Sequence, residues 1–212
     1  MLGFLIRAYL NHTIMSTKYK ANELGKAYFI TLTTVDWIDV FTRLSQRYLI
    51  VNSLRYCQKE KGLEIYAYCI MPSHIHMLCR ADDQTPLSNI IRDFKKYTSR
   101  KIIENILREK ESRREWMLKL FSDACEHLAR DQKYKVWQDG YHAEIIETPR
   151  FLYQKLNYIH NNPVVDKIVE FPEHYWFSSA RNYAGEESML DVVVLPPEVR
   201  THTVKSHSVV RF

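Results

Sequence analysis

Cysteine is scarce in this sequence and follows no ligand pattern. The four cysteines, Cys57, Cys69, Cys79 and Cys125, show no C-x-x-C spacing, and three fall in apolar periodic segments. They read as buried thiols of a reducing compartment, with the cytoplasm as the default location. Long apolar runs are also missing, so nothing approaches a membrane span. The apolar segment 1–14 carries only Arg7 as a positive charge and has no small-residue cleavage site, so it reads as a poor signal peptide. No Ser-x-Gly elbow, P-loop or H-E-x-x-H occurs, which removes three common catalytic frameworks. Charge of one sign is in mild excess only. A net +5 is compatible with nucleic acid without pointing to it.

What is present argues for a folded core. Hydrophobic residues make up 46% and aromatics 13% of the 212 residues, enough for one compact domain with additions. Residues 1–18 are expected to be an N-terminal extension outside the fold, because Met15 opens a polar stretch leading into the first strand. The domain is expected over 19–184, with a charge-dense helical insertion at 108–134 and a tail at 185–212. Trp116, Leu120, Ala124 and Leu128 are the expected apolar stripe of the insertion.

Two periodicities organise the rest. Ala27-Tyr28-Phe29-Ile30-Thr31-Leu32-Thr33-Thr34 alternates as a strand, with Tyr28, Ile30 and Leu32 on one face and Phe29, Thr31 and Thr33 on the other. Leu44, Tyr48, Val51, Leu54 and Gln58 follow helical steps that stop at Gly62. Leu63-Glu64-Ile65-Tyr66-Ala67-Tyr68-Cys69-Ile70 reads as a buried strand, and Pro72-Ser73 turns it into a second one. Thr85-Pro86 is expected to open a helix, with Thr85 as its cap. A short strand follows at 143–147. Thr148-Pro149 opens a last helix, expected to end near Asn161 because of Pro163. The order predicts an α+β fold: a ferredoxin-like, RRM-like βαββαβ antiparallel sheet with helices on one face and a further helix after it.

His74-Ile75-His76 lies on the second strand of the hairpin. Alternation projects both imidazoles from one face and sends Ile75 and Met77 into the core. Two imidazoles at this spacing suit one divalent ion, Mg2+ or Mn2+, with Zn2+ also open. A packed or solvent-facing histidine is the bland alternative. Tyr158 is the candidate nucleophile and Asn162, one turn on, a candidate third ligand, provided that the last helix crosses the same sheet face. The bland reading of Tyr158 is a packed ring with its hydroxyl in water. His160 is read as a helix-surface or capping residue. Arg92, Lys95, Lys96, Tyr97 and Arg100 crowd one helix, either as a solvated face or as a DNA-binding surface.

His74-Ile75-His76 resembles the HUH motif of single-strand DNA nucleases. Tyr158-Ile159-His160-Asn161-Asn162-Pro163-Val164 resembles the tyrosine motif of IS200/IS605-type transposases, in the REP-associated version. Supporting blocks are Pro72-Ser73, Phe94-Lys95-Lys96-Tyr97-Thr98, Val136-Trp137-Gln138-Asp139-Gly140-Tyr141 and Tyr175-Trp176-Phe177-Ser178-Ser179-Ala180-Arg181-Asn182-Tyr183. The resemblance implies a metal-dependent DNA-strand transferase. Tyr158 would form a 5′-phosphotyrosine link beside a hairpin formed by a palindromic repeat, with His74 and His76 holding the metal. Asn162 stands where simpler members have Gln. Simple members act as a homodimer with the tyrosine helix contributed in trans. A non-catalytic RRM-like module that grips hairpin DNA or RNA is the alternative.

Overall fold

The computed structural model describes residues 21–126 and 132–198. Its elements are β1 (Tyr28–Thr33), α1 (Leu44–Lys61), β2 (Leu63–Ile70), β3 (His74–Ala81), α2 (Leu87–Arg108), α3 (Arg114–Asp123), β4 (His142–Ile145), α4 (Pro149–Val165) and α5 (Ala180–Tyr183). The strands form one sheet in the order β2-β3-β1-β4, with every neighbouring pair antiparallel. This is the expected α+β arrangement, with β1 and the histidine-bearing β3 at the centre.

Register decides what each sheet face carries. Ile30 pairs with Met77 and Leu32 with Ile75, while Thr31 pairs with His76 and Thr33 with His74. Directly opposed residues share a face. One face is therefore apolar, and its Ile30, Leu32, Ile75 and Met77 are almost wholly sealed. α1 and α2 pack against each other and onto this face. Each such side chain removed from water contributes about 1.5–3 kcal/mol. The other face is polar at its centre, and α4 crosses it over β2 and β3.

Local sequence explains the sharp turns. α1 stops at Gly62, which adopts φ +68° and donates its N–H to the Cys57 carbonyl. A Cβ at this position would clash with the Asp82 carboxylate. The β2–β3 turn is closed by the Met71 N–H on the His74 carbonyl at 2.8 Å, and the Phe41 N–H holds Pro72 O at 2.8 Å.

Two of the sequence blocks meet in space. Trp137 is buried and its indole N–H donates to Thr98 Oγ1 at 3.0 Å. Lys95 Nζ donates to the carbonyls of Gln138 and Gly140. The 94–98 and 136–141 blocks thus lock α2 to the turn before β4. A third block covers the β2 edge, where unpaired strand groups would otherwise invite association. Ile70 N–H donates to Phe177 O at 3.0 Å, Ser179 N–H to Tyr68 O at 3.0 Å and the Tyr175 hydroxyl to Ile70 O at 2.7 Å. Beyond it, Val193 N–H donates to Ile65 O at 2.9 Å.

Several local expectations are corrected. Thr85 makes no cap; Pro86 holds the extended cap position, and Asp82 Oδ1 instead accepts from the N–H groups of Gln84 and Thr85. Thr148 does cap, accepting from Phe151 N–H at 3.2 Å. α4 runs past Pro163 to Val165, because packing carries the helix through the lost N–H. On α3 the buried residues are Met117 and Phe121, with Leu120 and Ala124 partly buried beside them and Trp116 half exposed. Leu128, residues 1–18 and the end of the tail lie outside the described residues.

Candidate active site

The site begins with alternation along β3. His74 and His76 emerge from the polar face with their ring centroids 4.6 Å apart. Both are buried, and α4 lies over them with Tyr158 half exposed at its surface. The Tyr158 ring stands 5.1 Å from His76, edge to face, and 5.8 Å from Phe29. One turn on along α4, Asn162 lies near enough to His74 to pull its pKa upward, against the larger effect of burial. Tyrosine, amide and both histidines therefore converge within one chain.

Burial sets the charge of the pair. Desolvation pushes His74 down to about 4, against the pull of Asp166 and Asn162. His76 is driven well below the ordinary imidazole range, first by desolvation and then by His74 and Lys155. Both rings are neutral near pH 7, the form in which imidazole offers a lone pair to a metal.

His76 Nδ1 lies 2.9 Å from Thr31 Oγ1, while its Nε2 is buried without a hydrogen-bond partner. When Nδ1–H donates to Thr31, Nε2 keeps a free lone pair. This orphaned nitrogen fits a metal ligand. His74 Nδ1 lies 3.3 Å from Ser73 Oγ. The polar groups available on this face are the two imidazoles and, one turn after Tyr158, the Asn162 amide. Among the described residues, no group of three or more His, Cys, Asp or Glu is placed to hold a metal.

Other predicted residues lie elsewhere. Arg92, Lys95, Lys96, Tyr97 and Arg100 sit on α2, across the sheet from Tyr158. Lys95 is held by the 138–140 turn, and burial lowers it to about 8. Arg92 is paired with Asp93 and Asn89. Lys96, Tyr97 and Arg100 are exposed, with the Arg100 guanidinium over the Tyr97 ring. His160 is a correction: it is buried rather than on the surface, its Nε2 is 2.9 Å from Ser179 Oγ and it packs on Tyr183. It joins α4 to the β2 edge.

Three neighbours were not anticipated. Thr31 orients His76. Phe29 stacks on His76 at 5.6 Å. Lys155 lies 4.2 Å from the Phe29 ring centroid and pairs with Glu144 at 2.6 Å. Lys155 stands three residues before Tyr158, so helical spacing could have found it. Thr31 and Phe29 share the histidine face in the strand alternation, but only register shows which residues touch.

A search of solved structures returns the REP-associated tyrosine transposase bound to a REP hairpin, at TM-score 0.56 and 19% identity, covering 85% of this chain and 95% of that one. A candidate transposase from Deinococcus radiodurans R1 aligns at TM-score 0.42 and 18% identity, over 66% of this chain and 92% of that one. No curated protein sequence matches the chain. The first of these likenesses bears on the fold alone. The family model described as "Transposase IS200 like" matches residues 7–131, which span β1 to α3 with the histidine pair and stop short of Tyr158. As this match takes in more than half of the 212 residues, the chain belongs to the IS200-like transposase family.

Proposed function

We propose that this chain cleaves and rejoins single-stranded DNA beside hairpin repeats, using Tyr158 as nucleophile. The observation that carries the reading is the seating of Tyr158 over His76, whose Nε2 is buried and unpartnered. In the proposed step, Tyr158 Oη attacks the scissile phosphorus and the phenol proton passes to water. The bond from phosphorus to the 3′ oxygen breaks, and that oxygen takes up a proton to leave as a 3′-hydroxyl. The 5′ end stays on the enzyme as a phosphotyrosine ester. Attack of a 3′-hydroxyl on this ester reverses the balance, rejoins the strand and frees Tyr158. No nucleotide cofactor is consumed.

His74, His76 and Asn162 would hold Mg2+ or Mn2+, which when bound polarises the phosphoryl oxygens. The chain's own part would be positioning: α4 would present the Tyr158 ring, 5.1 Å from His76, and Thr31 would fix the His76 ring. Hairpin DNA is the proposed partner, because a protein of the same fold is bound to a REP hairpin. The exposed Lys96, Tyr97 and Arg100 form a second proposed DNA surface, away from the reacting groups. We propose that Tyr158 serves the histidine pair of its own chain, so that a homodimer would carry two complete sites. No helix among the described residues is long and apolar enough to cross a membrane, and we place the reaction in the cytoplasm.

The test is a covalent adduct. A hairpin oligonucleotide with single-stranded flanks is incubated with the protein and Mn2+, then run on a denaturing gel. A shifted band is expected that disappears with Tyr158→Phe or with chelator. Hairpin binding without an adduct on any hairpin from the flanking genome would instead identify a non-catalytic binding module.

A further inference from the structure

We infer that Trp37 is a stacking platform for a nucleobase of the strand whose phosphate lies at the histidine pair, an inference that rests on the proposed function. The indole is 59% exposed, whereas Trp137 is only 4% exposed. It stands edge to face with His74 at 5.3 Å. The rings Trp37, His74, His76 and Tyr158 form a chain of contacts, with successive separations of 5.3, 4.6 and 5.1 Å. Tyr158 is the last ring of this chain and Trp37 the first. A phosphate at the central pair therefore has an adjacent base within reach of Trp37.

The backbone gives an independent reason. Asp36 and Trp37 adopt φ +49° and +55°, a left-handed conformation that side-chain-bearing residues rarely hold. Thr34 Oγ1 lies 2.8 Å from Ile38 O and 2.9 Å from Ser73 O, and Val35 N–H donates to Val136 O at 2.8 Å. These contacts hold the turn in place from both sides. Strain kept this way beside a reactive site is a mark of function. The fold gains little from the indole, because most of it faces water. The exposed Asp36 carboxylate alongside disfavours a phosphate at this spot, so the contact falls on a base. Stacking on an aromatic face tolerates any base, so the platform would set strand position rather than sequence.

The test compares two strands of equal length in metal-free buffer: oligothymidylate and a fully abasic deoxyribose-phosphate strand. Loss of one stacked base corresponds to about 5- to 150-fold in affinity. Trp37→Ala is expected to weaken oligothymidylate binding within that range and leave the abasic strand within about twofold. Trp37→Phe should fall between wild type and Ala. Trp37→Gly controls for folding, since glycine accepts this backbone freely; it should melt no lower than wild type and show the same loss on oligothymidylate. Equal loss on both strands, or no loss on oligothymidylate, would overturn the inference. If Trp37→Ala does not fold, Trp37→Gly and Trp37→Phe carry the comparison. Wild type that forms no Tyr158 adduct would sink the cleavage reading, while the two-strand comparison would still decide Trp37.

Discussion

The two faces of the sheet are built from the same strands yet do different work. On β3, Ile75 and Met77 point to the face covered by α1 and α2, while His74 and His76 point to the face crossed by α4. The first face is sealed by apolar contact and needs no polar partners. The second buries two imidazoles and leaves a nitrogen of one without a hydrogen bond. A buried polar atom without a partner costs about 1–3 kcal/mol, and the fold bears this cost where a metal would sit. Stability and reactivity are thus separated by one residue step along a strand.

Breaking that separation is the most direct trial. His76→Ala is expected to abolish the covalent adduct while the protein keeps a cooperative melt and still binds hairpin DNA. Met77→Ala should do the reverse, losing about 2–5 kcal/mol by chemical denaturation with activity per folded molecule unchanged. An unfolded His76→Ala would assign the imidazole to the core and end the distinction. A finer cut is Thr31→Val, which removes the group that orients His76. Titration with Mn2+ should show a loss of about 10- to 100-fold in metal affinity, with melting unchanged.

On the sealed side, Gly62→Ala forces a left-handed residue against Asp82 and should cost at least about 1–2 kcal/mol, with Mn2+ affinity untouched. Smaller effects are expected on α2. Lys96→Ala or Arg100→Ala should each lower the salt slope of DNA binding by about one, and an unchanged slope would make them solvated surface. Lys95 behaves differently, because burial holds it at about 8, well below its ordinary value. The folded state then binds fewer protons than the unfolded state between that value and the ordinary lysine range. Its contribution to stability should therefore rise with pH across this window and stay flat below it. Wild type should gain on Lys95→Met as pH climbs through it; a falling difference would show that the turn prefers the charged lysine.

Much of this was legible in the chain. Strand alternation placed both histidines on one face, and helical spacing placed Tyr158 and Asn162 on one side of α4. Gly62 announced the end of α1. What failed to show was non-local. Lys95 looked like a DNA-facing cation until the 138–140 turn was seen to hold it. His160 looked exposed until Ser179 and Tyr183 closed over it. Trp116 and Met117 are neighbours in sequence, and only docking decided which one faced the core.

The sequence by itself determined the periodic part of this protein: element order, strand faces, and a histidine pair and a tyrosine poised on separate elements. Those follow from backbone geometry, which repeats every two or 3.6 residues whatever the chain later meets. Tertiary structure alone decided that α4 returns to the polar face of its own sheet, that Thr31 meets His76, and that Trp37 stands beside His74. Such contacts depend on register and docking between residues far apart in the chain, and no local period encodes them.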